Sequence, residues 1–253
     1  MLSIEAKLNE FVHRLKEAAS SNLESVILYG SAARGDFHPE HSDLNLLCVL
    51  RSLAVEELAR VAPVVHWWSG EQKEPPPLFF TNEELVQSAD VFSIEMRDMQ
   101  DSRKVLFGSD PIAAIPVPTN LHRVQVEHEL RTVVLKLRSA YFRAPNDEHA
   151  LTPVLRKSFS GVLVLLRHVI IAFGSEPPSA ARDIIERAAV LTQSNAAAFE
   201  NVMRLREQND AYGVHLDIAH IYGAYLVALE NVVSALHKHL PKSEWQRTKQ
   251  AHS

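Results

Sequence analysis

The chain has 253 residues, 46% hydrophobic and 23% charged, which is enough apolar material for one large or two ordinary domains with a substantial core. A formal charge of −5 and a pI near 6.2 argue against a broadly basic nucleic-acid-binding surface, and a nucleotide or small molecule is the partner to expect. The single cysteine, Cys48, leaves no intrachain disulfide or cysteine-based zinc site to form.

Apolar residues at Ile4, Leu8, Phe11, Val12 and Leu15 have helical spacing and predict a helix over Ile4 to Ala19. No basic and apolar signal-like region precedes it, and the most apolar segment, Gly161 to Gly174, is interrupted by Arg167 and His168 and too short to span a bilayer. A cytoplasmic protein with no membrane partner is expected. A first strand follows at about Ser25 to Tyr29 and runs into Gly30-Ser31-Ala32-Ala33-Arg34-Gly35-Asp36. An apolar run ending in Gly-Ser reads as a strand entering a tight turn and a helix start, where backbone N–H groups and a hydroxyl can cradle phosphates. Ser42-Asp43-Leu44-Asn45-Leu46-Leu47-Cys48-Val49-Leu50 is a second strand. Residues two apart on a strand share a face, so Asp43 and Asn45 are expected to project side by side toward the Gly30-Ser31 turn.

Further strands are predicted at Val61 to Trp68, Leu78 to Thr81 and Val91 to Met99, with short helices at Val55 to Arg60 and Asn82 to Ser88. Glu71 to Pro77 reads as an extended linker and Pro111 to Pro118 as the boundary where composition changes. Beyond it the pattern is helical. Leu121 to Phe142 is amphipathic, and Thr152-Pro153 offers a helix start that Gly174 would end. Ser179 and Ser194 can start two more helices, and Leu216 to Leu240 supplies a last one. Four or five helices with short connections imply an antiparallel bundle. The expected fold class is α+β: a mixed-sheet domain over residues 1–112, an all-α helical bundle over 119–240, and a polar tail over 241–253.

Gly30-Ser31, a spacer and Asp43-Leu44-Asn45 resemble the nucleotidyltransferase superfamily, which includes the aminoglycoside adenylyltransferases and the minimal nucleotidyltransferases. The resemblance implies a Gly-Ser turn, two acids on the next strand that bind divalent metal, and a third acid on a later strand. Asn45 stands where the second acid belongs. It implies a nucleoside triphosphate as partner, Mg²⁺ or Mn²⁺ as cofactor, and nucleotidyl transfer to a hydroxyl on a small-molecule or protein acceptor. Gly30, Ser31, Arg34 and Ser42 are the matching nucleotide-binding positions; Asp43, Asn45 and Glu95 are the catalytic ones, with Asp43 and Glu95 as metal ligands.

Replacing carboxylate by amide removes a full charge from a site that must attract a hard cation, so the metal is expected to be weakly held. The alternative function is a catalytically impaired relative that serves as a nucleotide-binding or partner-binding module, and the chain is compatible with a homodimer. Glu95 is chosen as third carboxylate because it lies between Ile94 and Met96 on a predicted buried strand, where a carboxylate needs cations or donors; Asp98 is the lesser candidate. Arg34 can meet a phosphate or pair with Asp36 or Glu40. His38 and His41 read as solvated loop residues, and Trp67-Trp68 as packing rather than base stacking. Arg167 and His168 either pair with an acid or face a cleft, and Asp210, Tyr212, His215, Asp217 and His220 form a polar helix entrance. Arg-to-His spacings such as Arg123 to His128 occur near chance in a chain with 13 His, and no ribonuclease is inferred from them.

Overall fold

The computed structural model describes residues 3–34, 43–117, 121–207 and 217–239. Asp36, His38, His41, Ser42, Asp210, Tyr212, His215 and the tail therefore lie outside the described residues. Two compact units divide at Pro118 and Thr119.

The first unit is organised by β1 (Leu23–Tyr29), whose side chains are buried at most positions because it is an inner strand of a mixed sheet ordered β3-β2-β1-β4. β2 (Asn45–Leu50) and β4 (Arg103–Gly108) flank it antiparallel, and β3 (Leu78–Phe80) joins β2 in parallel. One face carries Val26, Leu28, Leu46, Cys48 and Leu50 against α1 (Ile4–Ala19) and α3 (Val55–His66). The opposite face carries Ile27, Leu47 and Val49 under Leu85 of α4 (Asn82–Ser88) and Met96 and Met99 of α5 (Ser93–Asp101). Ser3 caps α1 through the Ala6 N–H at 3.2 Å, and Thr81 with Glu84 forms a reciprocal capping box at α4. α2 (Ser31–Arg34) is a single turn after β1.

Two expected strands are helical. Val61 to Trp68 belongs to α3 and the π-helical turn Trp67–Glu71 after it. Val61, Val64, Trp67 and Trp68 recur at helical spacing and are all buried, and tertiary burial of that stripe overrides the β preference of Val and Trp. Trp68 is wholly buried, 4.8 Å from the Phe11 ring, and its indole N–H donates to the Pro75 carbonyl at 3.1 Å. Val91 to Met99 is likewise not a strand: Ser93, Ile94, Met96 and Met99 make the buried side of α5. The outer strand beside β1 is instead β4, which sequence periodicity did not reveal.

The second unit is α6 (His122–Arg143), α7 (Glu148–Ala172), α8 (Ala181–Thr192), α9 (Ala196–Glu207) and α10 (Ile218–Lys238). α7 starts earlier than Thr152-Pro153 suggests: Asp147 accepts the Ala150 N–H at 3.1 Å, and Pro153 sits inside the helix. It stops as expected at Gly174, whose φ of +77° favours glycine. α7 and α10 pack against each other and against α6, α8 and α9. α10 is long and apolar enough to cross a membrane by length and composition, yet Tyr222, Tyr225, Leu229, Val232 and Leu236 are covered by its neighbours. His168 is buried with His122, Nδ1 to Nε2 at 3.3 Å, a pairing with a second histidine that the expected alternatives of an acid or a cleft did not include.

The α+β expectation therefore holds: a mixed sheet with helices in the first unit, and helices in the second.

Candidate active site

At the end of β1 the chain leaves the sheet through Gly30, at φ +81°. A side chain there would be strained in this left-handed conformation, and its Cβ would come within 3.4 Å of the Asn45 amide nitrogen. Gly30 N–H donates to the Ser102 carbonyl at 3.1 Å, and Ala33 N–H to the Gly30 carbonyl at 3.1 Å. The turn is thus tied to the residue between α5 and β4. Ser31 and Arg34 form the ends of α2.

Across the sheet, Tyr29 is paired with Asn45 on one side and Arg103 on the other. Directly opposed residues share a face, so these three form one polar row on the side that carries Ile27, Leu47 and Val49. Asn45 is the first residue of β2; Asp43 is exposed and lies just before the strand rather than on it. Leu44, between them, is buried.

Glu95 reaches this region from a helix, not from a strand, which corrects the expected placement. It is in the first turn of α5, exposed, and its charge acts on the Tyr29 phenol. Burial first, and the Glu95 charge second, push the Tyr29 phenol up to about 12. Among the described strand residues, the one carboxylate is Glu24 at the far end of β1, where it meets Arg51 at 3.4 Å and Asn82 at 2.5 Å. Among the described residues the sheet therefore has no third acid beside β2; β3 offers Leu78, Phe79 and Phe80 and β4 offers Arg103. Among the described residues no three His, Cys, Asp or Glu side chains are grouped to hold a metal ion.

Arg103 is itself held. Its Nε donates to Asp110 at 2.8 Å and its Nη1 to the Gln100 carbonyl, while Gln100 donates to the Ile112 and Ile115 carbonyls at 3.2 and 2.7 Å. On the opposite face of the sheet, Cys48 is fully buried and burial pushes its thiol up, which leaves it an inert core residue.

One participant was invisible in the sequence. Glu74, read as part of an extended linker, sends one carboxylate oxygen to the Leu44 N–H at 2.9 Å and the other to Lys7 at 2.7 Å. Glu74 and Lys7 stand 30 and 37 positions from Leu44, and nothing local in the chain signals their meeting.

Residues 8–105 match the sequence profile described as a nucleotidyltransferase domain. The first unit carries a nucleotidyltransferase domain. It takes in most of α1, all of the Gly30 to Asn45 segment, Glu74 and Glu95, and ends within β4. Among solved structures, the spectinomycin adenyltransferase AAD(9) from Enterococcus faecialis, determined with ATP and spectinomycin, is 14% identical with a TM-score of 0.55. That likeness covers 91% of this chain and 98% of that one, and it shows a shared fold. A toxin–antitoxin structure with AMP-PNP is 13% identical over 51% of this chain and 97% of that one, at a TM-score of 0.30. No curated protein sequence matches this chain. The profile and the adenyltransferase likeness agree with the resemblance read from Gly30-Ser31 and Asp43.

Proposed function

We propose that the nucleotidyltransferase domain binds a nucleoside triphosphate with a weakly held Mg²⁺ or Mn²⁺, and that nucleotidyl transfer to a hydroxyl acceptor is slow because Asn45 replaces a carboxylate. The observation that carries this reading is the placement of Asn45 beside Gly30 at the mouth of the Tyr29 row, two residues after the exposed Asp43. The donor set fits a hard cation in part. Asp43 offers an anionic oxygen and Asn45 a neutral one, with Glu95 as a carboxylate from α5. Bound there, a cation would supply charge for the phosphates and for the leaving pyrophosphate.

The residues themselves do the rest. Gly30 lets the backbone approach the phosphates closely, and the backbone of Ser31 opens α2 toward them; Arg34 and Ser42 are the remaining nucleotide contacts in this reading. In the transfer, an acceptor hydroxyl oxygen forms a bond to the α-phosphorus as the bond to pyrophosphate breaks, and the hydroxyl proton passes to a carboxylate or to water. The adenyltransferase of similar fold was determined with ATP, which supports ATP as the first nucleotide to try.

A second reading, a domain kept for binding with no turnover, is favoured by the same amide and by the absence of a third strand carboxylate among the described residues. Calorimetric titration of ATP and GTP with Mg²⁺ or Mn²⁺ into wild type, Asp43→Ala and Asn45→Asp, followed by pyrophosphate release, separates the two. Metal-dependent binding that Asp43→Ala abolishes is expected. Asn45→Asp should raise turnover by roughly a thousandfold, the order that a lost charge contact costs in a transition state. Turnover by Asn45→Asp alone assigns the binding role; no binding by any variant removes both readings.

A further inference from the structure

The acceptor of the Leu44 N–H, in the middle of the Asp43-Leu44-Asn45 segment, belongs to neither the turn nor the sheet. Leu44 N–H precedes the first ladder residue of β2, so the sheet does not satisfy it, while the Leu44 side chain is buried. Its acceptor is the Glu74 carboxylate, at 2.9 Å. The second oxygen of that carboxylate binds Lys7 Nζ of α1 at 2.7 Å, and Lys7 also donates to the Gln72 carbonyl at 3.3 Å. The Glu74 and Lys7 side chains are only 11% and 19% exposed, which shelters the pair from solvent and makes it stiffer than a surface ion pair.

Glu74 is held from its own side as well. Its backbone N–H donates to the Trp68 carbonyl at 3.3 Å, the next residue's carbonyl accepts the Trp68 indole N–H, and Lys73 before it is in the left-handed region at φ +56°. A non-glycine residue persists there only where its surroundings over-determine it. The Trp68 core thus fixes Glu74, and Glu74 fixes the peptide between Asp43 and Asn45.

We infer that Glu74, neutralised by Lys7, is the positioning residue that aims Asp43 and Asn45. This inference rests on the nucleotide-binding reading above. Each Glu74 oxygen holds a donor, Leu44 N–H on one and Lys7 on the other, so Glu74 acts through the Leu44 peptide. Because Lys7 balances its charge, Glu74 orders the segment without adding a negative charge that would compete with phosphates.

The test compares Glu74→Ala, Glu74→Gln and Lys7→Met, and the doubles of each Glu74 variant with Lys7→Met, by two readouts: amide hydrogen exchange at Leu44 in the free protein, and calorimetric binding of ATP with Mg²⁺. Glu74→Ala is expected to speed Leu44 exchange and to weaken ATP binding by roughly tenfold or more, the effect of losing a charge-assisted hydrogen bond. Glu74→Gln alone turns an amide N–H₂ toward the Lys7 ammonium. Adding Lys7→Met removes that clash and leaves the amide oxygen free to accept from Leu44, so this double should recover both readouts to within about threefold of wild type. Glu74→Ala with Lys7→Met should recover neither. A role in stability alone would not produce that split between the two doubles.

Leu44 exchange or ATP affinity unchanged in folded Glu74→Ala overturns the inference, as does equal behaviour of the two doubles. If Glu74→Ala does not fold, Glu74→Gln and its double carry the same comparison. Absence of ATP binding by wild type overturns the transferase reading alone, and Leu44 exchange across the variants then decides whether Glu74 orders the segment.

Discussion

The two faces of the sheet in the first unit follow different rules. Along β1 and β2 the face under α1 and α3 is apolar: Leu23, Val26, Leu28, Leu46, Cys48 and Leu50 meet Phe11, Leu15 and Trp68, all buried. The face under α4 and α5 is apolar at one end, with Ile27, Leu47 and Val49, and polar at the other, where Tyr29, Asn45 and Arg103 stand in a row. Alternation along a strand makes this possible, because a change at every second residue alters one face and leaves the other intact. The closed face holds the fold. The graded face keeps its last row polar.

The largest effect expected from this contrast is on stability. Phe11→Ala removes a ring with no exposed surface from the closed face and should cost about 3–5 kcal/mol in urea unfolding followed by the fluorescence of Trp67 and Trp68. A loss below about 1 kcal/mol, the range of tolerated core swaps, would break the claim that this face carries the stability.

Two glycines sharpen the same contrast. Gly108 closes β4 at φ +78°, and a Cβ there would lie 1.9 Å from the Glu24 carbonyl oxygen, so the backbone must move. Gly108→Ala should cost about 2–4 kcal/mol, from overpacking and left-handed strain together. Gly30 has the same sign of φ, but a Cβ would meet only the Asn45 amide nitrogen at 3.4 Å, an ordinary contact. Gly30→Ala should therefore cost about 1–2 kcal/mol of strain. The order reverses for ATP titration, where Gly30→Ala should be the more damaging change because, in the proposed function, the added methyl would stand where phosphate approaches. Equal loss of binding in both variants would show that binding follows stability and not the row.

How far the sequence anticipated this depends on which groups meet locally. The Gly30-Ser31 turn, the strands around it and the capped helix Asn82–Ser88 were legible, since each is specified by neighbours a few residues apart. Val61 to Trp68 and Val91 to Met99 were read at the wrong period. Dense apolar runs satisfy alternation and helical spacing alike, and their true period is set by what lies above them, Phe11 for the first and the Ile27 face of the sheet for the second. β4 was missed because it is an outer strand that begins Arg103-Lys104 and leaves Val105 37% exposed, so it has no buried stripe to announce it. Glu74 was illegible for a different reason: its partners, Leu44 and Lys7, are brought to it only by the completed fold.

The smallest effect, and the one that tests whether Glu95 belongs to the polar end of the graded face, is spectroscopic. The Tyr29 phenol is raised from 10.0 to about 12, by burial first and by the Glu95 charge second. A raised value means that folded Tyr29 keeps its proton after unfolded Tyr29 has lost it. The unfolded state then binds fewer protons between pH 10 and about 12, and stability falls as pH rises through that window, with the full contribution present below pH 10. Phenolate absorbance at 295 nm, taken as the difference between wild type and Tyr29→Phe, separates this group from the other tyrosines. Among these, burial also pushes Tyr222 up to about 12 and Tyr225 higher still. In Glu95→Gln the Tyr29 midpoint should move down toward 10 without reaching it, because burial, the larger cause, is untouched. An unmoved midpoint would detach Glu95 from the row and leave Asp43 and Asn45 as the oxygen donors beside the Gly30 turn. A nucleotide site with one carboxylate would then have to rely on the phosphates themselves to hold its cation.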